Sequence, residues 1–211
     1  PICLRQSFFL IAPAMVGVIV VGEPIIRLLF ERGEFAAETT HQAAIALRYY
    51  GTGLLAFAWV KVAVQGFYAV QNTRTPVSVA SASMLLNIVL NCLLVGPLGY
   101  RGLALSTAIA FTVNFLLLYA LLCARFGRLW DATFLWALLR MATAAAIMGA
   151  AAWGCAAWLE TRFGTTGLSA KALGALPPIA LAAILYAALC TAFRLPELHE
   201  TLAMLRRRTE R

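Results

Sequence analysis

Lys61 is the residue whose type and position point most directly to chemistry. It sits near the middle of the apolar stretch Tyr49–Val70, where a charge at the centre of a membrane helix costs about 2.5–3.5 kcal/mol on insertion scales. Such charges usually face a cavity and serve function. All nine acidic residues fall in links, at the edges of apolar stretches or near the end of the chain, so none lies at matching depth. The counter-charge then comes from solvent, from an anionic substrate, or from chain outside this sequence as a structural ion pair. At about 100° per residue, Tyr50, Gln65, Tyr68 and Asn72 project within about 40° of Lys61. A stripe holding Lys61, Gln65 and Tyr68 suits substrate binding, although interhelical hydrogen bonding would draw the same stripe.

Asn87 and Asn91 share one helical face of the next apolar stretch, and Thr107 and Asn114 share a face of the one after. A short link between the two stretches puts Asn91 and Thr107 at similar depth. Two amides and a hydroxyl could coordinate a small monovalent cation together with backbone carbonyls, since oxygen ligands suit hard cations. They could equally hold two helices together. No carboxylate accompanies them, so no metal site is assigned, and no cofactor is expected.

These residues must be positioned by membrane helices. The chain is 62% hydrophobic and only 12% charged, against about 25% charged in soluble domains. A water-soluble enzyme is excluded on that ground. Six stretches are long enough, or nearly so, to cross a bilayer: Ser7–Gly22, Tyr49–Val70, Val77–Val95, Gly102–Ala124, Met141–Leu159 and Ala172–Phe193. None alternates like a membrane barrel strand, so the fold class is an all-α integral membrane protein with six transmembrane helices. Links 71–76 and 96–101 have turn chemistry and predict antiparallel neighbours. The link Glu23–Gln42 is longer, with Pro24 suited to a first helical position and Gly33 to a stop.

The net charge of +8 reads as orientation charge rather than as a nucleic-acid signal. An even number of spans puts both ends on one side with Arg5, Arg74, Arg125, Arg128, Arg140, Arg194, Arg206, Arg207, Arg208 and Arg211. The other side holds Arg27, Arg32, Arg48, Arg101, Arg162 and Lys171, diluted by glutamates. The excess predicts that both ends are cytoplasmic, with the terminal arginines also able to touch anionic membrane lipid. The first residue is Pro1, which predicts a processed chain or a piece of a longer one. Five scattered cysteines lack metal-ligand spacing and read as small apolar residues. His41 and His199 read as surface residues. Asp131 is the only aspartate, and no HExxH, GxxxxGK[ST] or GxSxG occurs, so an enzyme is disfavoured.

Taken together, Leu28-Leu29-Phe30-Glu31-Arg32-Gly33-Glu34-Phe35, Gly66-Phe67-Tyr68-Ala69 and Thr73-Arg74-Thr75-Pro76-Val77 resemble the MurJ/MviN family of lipid II flippases. The mid-helix Lys61, the Asn87/Asn91 pair and Gly102-Leu103-Ala104-Leu105-Ser106-Thr107 fit the same pattern. The resemblance implies the C-terminal six helices of a fourteen-helix, two-lobe exporter fold. It divides the chain into 1–125 (four helices of the second lobe), 126–193 (two extra helices) and 194–211 (a basic cytoplasmic tail). The function it implies is movement of the lipid-linked peptidoglycan precursor from the inner to the outer leaflet of the bacterial inner membrane. Partners would then be that anionic lipid-linked glycan, membrane lipids and the N-terminal lobe of the same protein, with no nucleic acid. By the same likeness Lys61 would line a central cavity and attract pyrophosphate, and Asn87, Asn91 and Thr107 would resemble the family's cation site. The last two helices would offer a groove to a polyprenyl tail. Two alternatives stay open: an exporter of another lipid-linked glycan or drug, and a membrane scaffold for wall synthesis that does not transport.

Overall fold

The computed structural model describes residues 2–31, 37–127, 130–164, 167–193 and 197. Six long helices follow in order: α1 (Ile2–Phe30), α2 (Ala37–Ala69), α3 (Arg74–Leu98), α4 (Tyr100–Phe126), α5 (Ala132–Phe163) and α6 (Leu168–Ala192). All six are long and apolar enough to cross a membrane. The predicted fold class therefore holds among the described residues. The sequence spans are the apolar middles of these helices, whose ends run further. A 33-residue helix such as α2 is about 50 Å long at about 1.5 Å per residue, so it outreaches a hydrocarbon core of about 30 Å. The surplus carries the charges, among them Glu23 and Arg27 in α1, Glu38 and Arg48 in α2, and Glu160 and Arg162 in α5.

Three links differ from expectation. Pro24 starts no separate helix: α1 runs through it to Phe30. The missing N–H costs one backbone bond, and the turns on either side are tied by an Arg27–Glu23 ion pair at 3.2 Å. Gly33 lies outside the described residues. Link 96–101 shrinks to one residue, because α3 continues past Pro97 to Leu98 and α4 begins at Tyr100. Gly99 makes the reversal at φ +57°, ψ −137°, a region open in practice only to glycine, and its N–H closes α3 on Val95 O at 2.9 Å. Finally, α5 starts nine residues before Met141, at an N-cap formed by Asp131. The Asp131 carboxylate accepts from Thr133 Oγ1 at 2.7 Å and from the Phe134 N–H at 2.9 Å. Both bonds favour its charged form and hold its pKa below the ordinary value, the Thr133 bond most.

The helices pack as two compact units. One contains α1, α5 and α6 (Pro1–Glu31 with Asp131–Arg211), the other α2, α3 and α4 (Arg32–Trp130). This partition cuts across the sequence-based boundary at residue 125, since α1 packs with α5 and α6. The proposed tail 194–211 lies outside the described residues except Glu197, which is buried and paired with Arg5.

In the first unit the fully buried Met141, Ala144 and Ala152 of α5 are small or flexible, which lets helix backbones approach closely. Tyr186 of α6 donates to Phe9 O of α1 at 2.8 Å, inside the core. One end of this unit gathers charge. Arg27 Nη1 reaches Glu160 Oε1 at 2.5 Å and Arg27 Nε reaches Glu31 Oε2 at 3.8 Å, while Lys171 Nζ meets Glu31 Oε1 at 3.1 Å. Three helices are thus tied through five alternating charges.

In the second unit α4 is the centre. Ala63 and Phe67 of α2, Val79 of α3 and Leu118 and Leu122 of α4 form one core. Gly53 lets α2 close on α4: a Cβ there would lie 2.8 Å from the Ala108 backbone. Nearer the end of α4, Trp59, Phe115, Tyr119 and Trp130 join in an aromatic cluster, with Tyr119 and Trp130 stacked at 4.3 Å. The five cysteines are all free and all lie in helices.

Candidate functional site

The second unit holds every residue singled out by the sequence as a binding candidate. Along α2, Lys61, Gln65 and Tyr68 are exposed on one face, with Tyr50 one end further along. The 3.6-residue repeat brings them into line. Among the described residues no carboxylate pairs with Lys61. Its ammonium instead lies 4.3 Å from the centre of the Phe57 ring, a cation–π contact that leaves the charge available to an anion. Phe57 meets Phe111 of α4 edge-on at 4.9 Å, so the lysine rests on an aromatic support spanning two helices. Phe57 escaped the sequence reading, although its place four residues before Lys61 on the same stripe could have signalled it.

Asn72 does not belong to the stripe. α2 ends at Ala69, and Gln71 turns left-handed at φ 56°. Asn72 then caps the reversal, with Oδ1 accepting from the Thr75 N–H at 3.2 Å and Nδ2 donating to Thr75 Oγ1 at 2.9 Å. An asparagine after a helix serves turn geometry first.

The structure does bring Asn87, Asn91 and Thr107 together. Asn91 Nδ2 donates to Asn87 Oδ1 at 2.8 Å, Asn87 Nδ2 to Thr107 Oγ1 at 3.4 Å, and Thr107 Oγ1 to Leu103 O at 2.9 Å. Ser106, next to Thr107 and without a role of its own in the spacing argument, donates to Asn91 Oδ1. The four side chains form a relay between α3 and α4 in which each amide oxygen already accepts a bond. Asn114, placed by sequence on the Thr107 face, makes no bond within the relay but shares a pocket with one of its members, Asn87. It is buried in a pocket of about 360 Å³ with Ser83, Met84, Asn87 and Phe111. Among the described residues no group of three or more His, Cys, Asp or Glu side chains could hold a metal.

What this geometry can do is bind an anion on a cationic, aromatic-backed helix face, beside a pair of helices joined by neutral polar groups. Residues 2–173, which include all of these side chains, match the family model described as lipid II flippase MurJ. A probable lipid II flippase MurJ of Vibrio cholerae is 38% identical over 151 residues, covering 71% of this chain and 29% of that protein. One of Rhizobium meliloti is 39% identical over 183 residues, covering 85% of this chain and 34% of its own length. A solved structure titled lipid II flippase MurJ, inward closed conformation, superposes with a TM-score of 0.73 at 26% identity, over 90% of this chain and 37% of that one. The chain thus spans about a third of the length of these relatives. With a family match running from the first helix into the sixth, the chain belongs to the MurJ family of lipid II flippases.

Proposed function

We propose that this chain works as the C-terminal part of a transporter that moves lipid II, the lipid-linked peptidoglycan precursor, from the inner to the outer leaflet of the bacterial inner membrane. The observation that carries the reading is Lys61, an exposed cation on a membrane-length helix with no carboxylate partner among the described residues. An ammonium in that position suits the pyrophosphate of the lipid as a hydrated point charge, with Gln65 and Tyr68 adding hydrogen bonds along the same face. The partners are lipid II, membrane lipids and the N-terminal lobe of the same protein. No catalytic step is needed, because the ligand changes side and not its covalent bonds.

The Asn87, Asn91, Thr107 and Ser106 relay supports helix pairing. A monovalent cation would share amide oxygens that each accept one hydrogen bond already, and neither α3 nor α4 carries a carboxylate to join them. Alternating access requires two bundles moving about a shared site. Purified alone in liposomes, the 211-residue chain is expected to give no lipid II translocation, whereas the full-length protein translocates it. Transport by the chain alone would overturn the two-lobe reading. A full-length protein that binds wall-synthesis enzymes yet moves no lipid would favour the scaffold alternative.

Both chain ends are proposed to be cytoplasmic, from the arginine excess on that side. In a variant stripped of native cysteines, a membrane-impermeant thiol reagent added outside should label Thr166→Cys and spare Thr73→Cys. The reverse pattern would invert the assignment. Residue 166 lies outside the described residues, and Thr73 precedes α3.

A further inference from the structure

The pocket between α3 and α4 has two buried oxygens to which no group among the described residues bonds. Ser83 is 5% exposed and Asn114 is 7% exposed, and among the described residues neither Ser83 Oγ nor Asn114 Oδ1 has a hydrogen-bond partner. Both residues line a cavity of about 360 Å³ together with Asn87, whose amide is engaged with Thr107 and Asn91, and with apolar walls that include Met84, Ala110 and Phe111. An unpaired buried polar group carries a desolvation penalty of about 1–3 kcal/mol, so two in one pocket call for an occupant with donors. A lipid tail would leave both oxygens unpaired. Water would fill the space only as a cluster of several molecules at about 30 Å³ each, bonded mostly to one another and set against apolar walls.

The pocket also adjoins the cationic face. Phe111 forms one of its walls and is the ring that backs Phe57, on which the Lys61 ammonium rests. An anion at Lys61 and a group in the pocket are therefore separated by two ring contacts. A group with hydroxyl or amide donors on its edge and C–H faces for Phe111 satisfies both demands of the cavity, and a sugar is such a group.

We propose that this pocket is a sugar subsite. It would receive the sugar unit attached to the same pyrophosphate that Lys61 attracts, with Ser83 and Asn114 accepting bonds from its donors. This rests on the flippase reading and adds a glycan-selecting element to it.

The test measures dissociation constants of the full-length protein for two probes: a polyprenyl pyrophosphate, and the same lipid bearing a sugar but no peptide. Wild-type protein is expected to prefer the sugar-bearing probe by about tenfold. Ser83→Ala removes one acceptor without adding volume, and Asn114→Leu removes the other and keeps the wall at about the same size. Both should erase that preference while affinity for the bare pyrophosphate holds. Lys61→Ala should weaken both probes and keep their ratio. A wild-type protein with no preference, or a preference that survives both Ser83→Ala and Asn114→Leu, overturns the subsite. If Lys61→Ala changes neither affinity, the pyrophosphate reading fails, while the ratio still reports on the pocket.

Discussion

Replacing Lys61 with alanine in the full-length protein is expected to slow lipid II flipping about tenfold or more while protein level and membrane insertion persist. A charge-assisted hydrogen bond is worth about 1.5–3 kcal/mol, or about tenfold or more in rate. Stability should change by no more than about 0.5 kcal/mol, the usual range for exposed positions, because no carboxylate among the described residues would be stranded. A structural ion pair predicts the opposite pattern, with lost stability preceding lost transport. Lys61→Arg should keep part of the activity: the charge and the contact with Phe57 survive, but the forked head is larger and more weakly hydrated. Flipping and thermal stability measured in the same Lys61→Ala sample separate these cases. Wild-type flipping by that variant would sink the binding role.

Arg27→Ala is expected to destabilise the α1, α5, α6 unit by about 2–4 kcal/mol. Arg27 stands within ion-pair reach of Glu23, Glu31 and Glu160, with its own side chain 17% exposed. Its removal leaves three carboxylates close together, with Lys171 paired to Glu31. Breaking a buried pair costs about 3–5 kcal/mol, and partial exposure reduces that. Arg27→Lys keeps the charge but loses the fork, so it should recover only part of the loss. Adding Glu160→Gln to Arg27→Ala should restore stability relative to the single change, since contacting charges are non-additive. Chemical unfolding in detergent, followed by tryptophan fluorescence, would check this. An unchanged midpoint for Arg27→Ala would show that the cluster contributes nothing measurable.

The six spans were legible because apolar runs of that length have few alternatives. The helix ends were less so. Nothing in an apolar count says that a helix passes through Pro24, or that Gly99 alone reverses the chain between α3 and α4. Those outcomes depend on backbone geometry and on partners such as Arg27 and Glu23. The Lys61, Gln65 and Tyr68 stripe was legible from helical spacing, whereas Asn72 fell off it because α2 had already ended. The pairing of Asn87, Asn91 and Thr107 followed from the short connection. The five-charge cluster of the first unit was not legible, since its members come from three helices far apart in the chain. The Ser83 and Asn114 pocket was also invisible, because nothing distinguishes Ser83 from its neighbours Ser78 and Ser81 until the facing helix shows what it lacks.

The relay between α3 and α4 bears on how such a chain reaches the bilayer at all. Its donors and acceptors lie at most 20 residues apart, within two helices joined by a single glycine. Polar side chains entering hydrocarbon one helix at a time would each be exposed to lipid. Folded back at Gly99, the two helices can satisfy Asn87, Asn91, Ser106 and Thr107 between themselves. The hairpin thus brings its own compensation with it, so it can leave the insertion machinery as a pair, without contacts from any other helix.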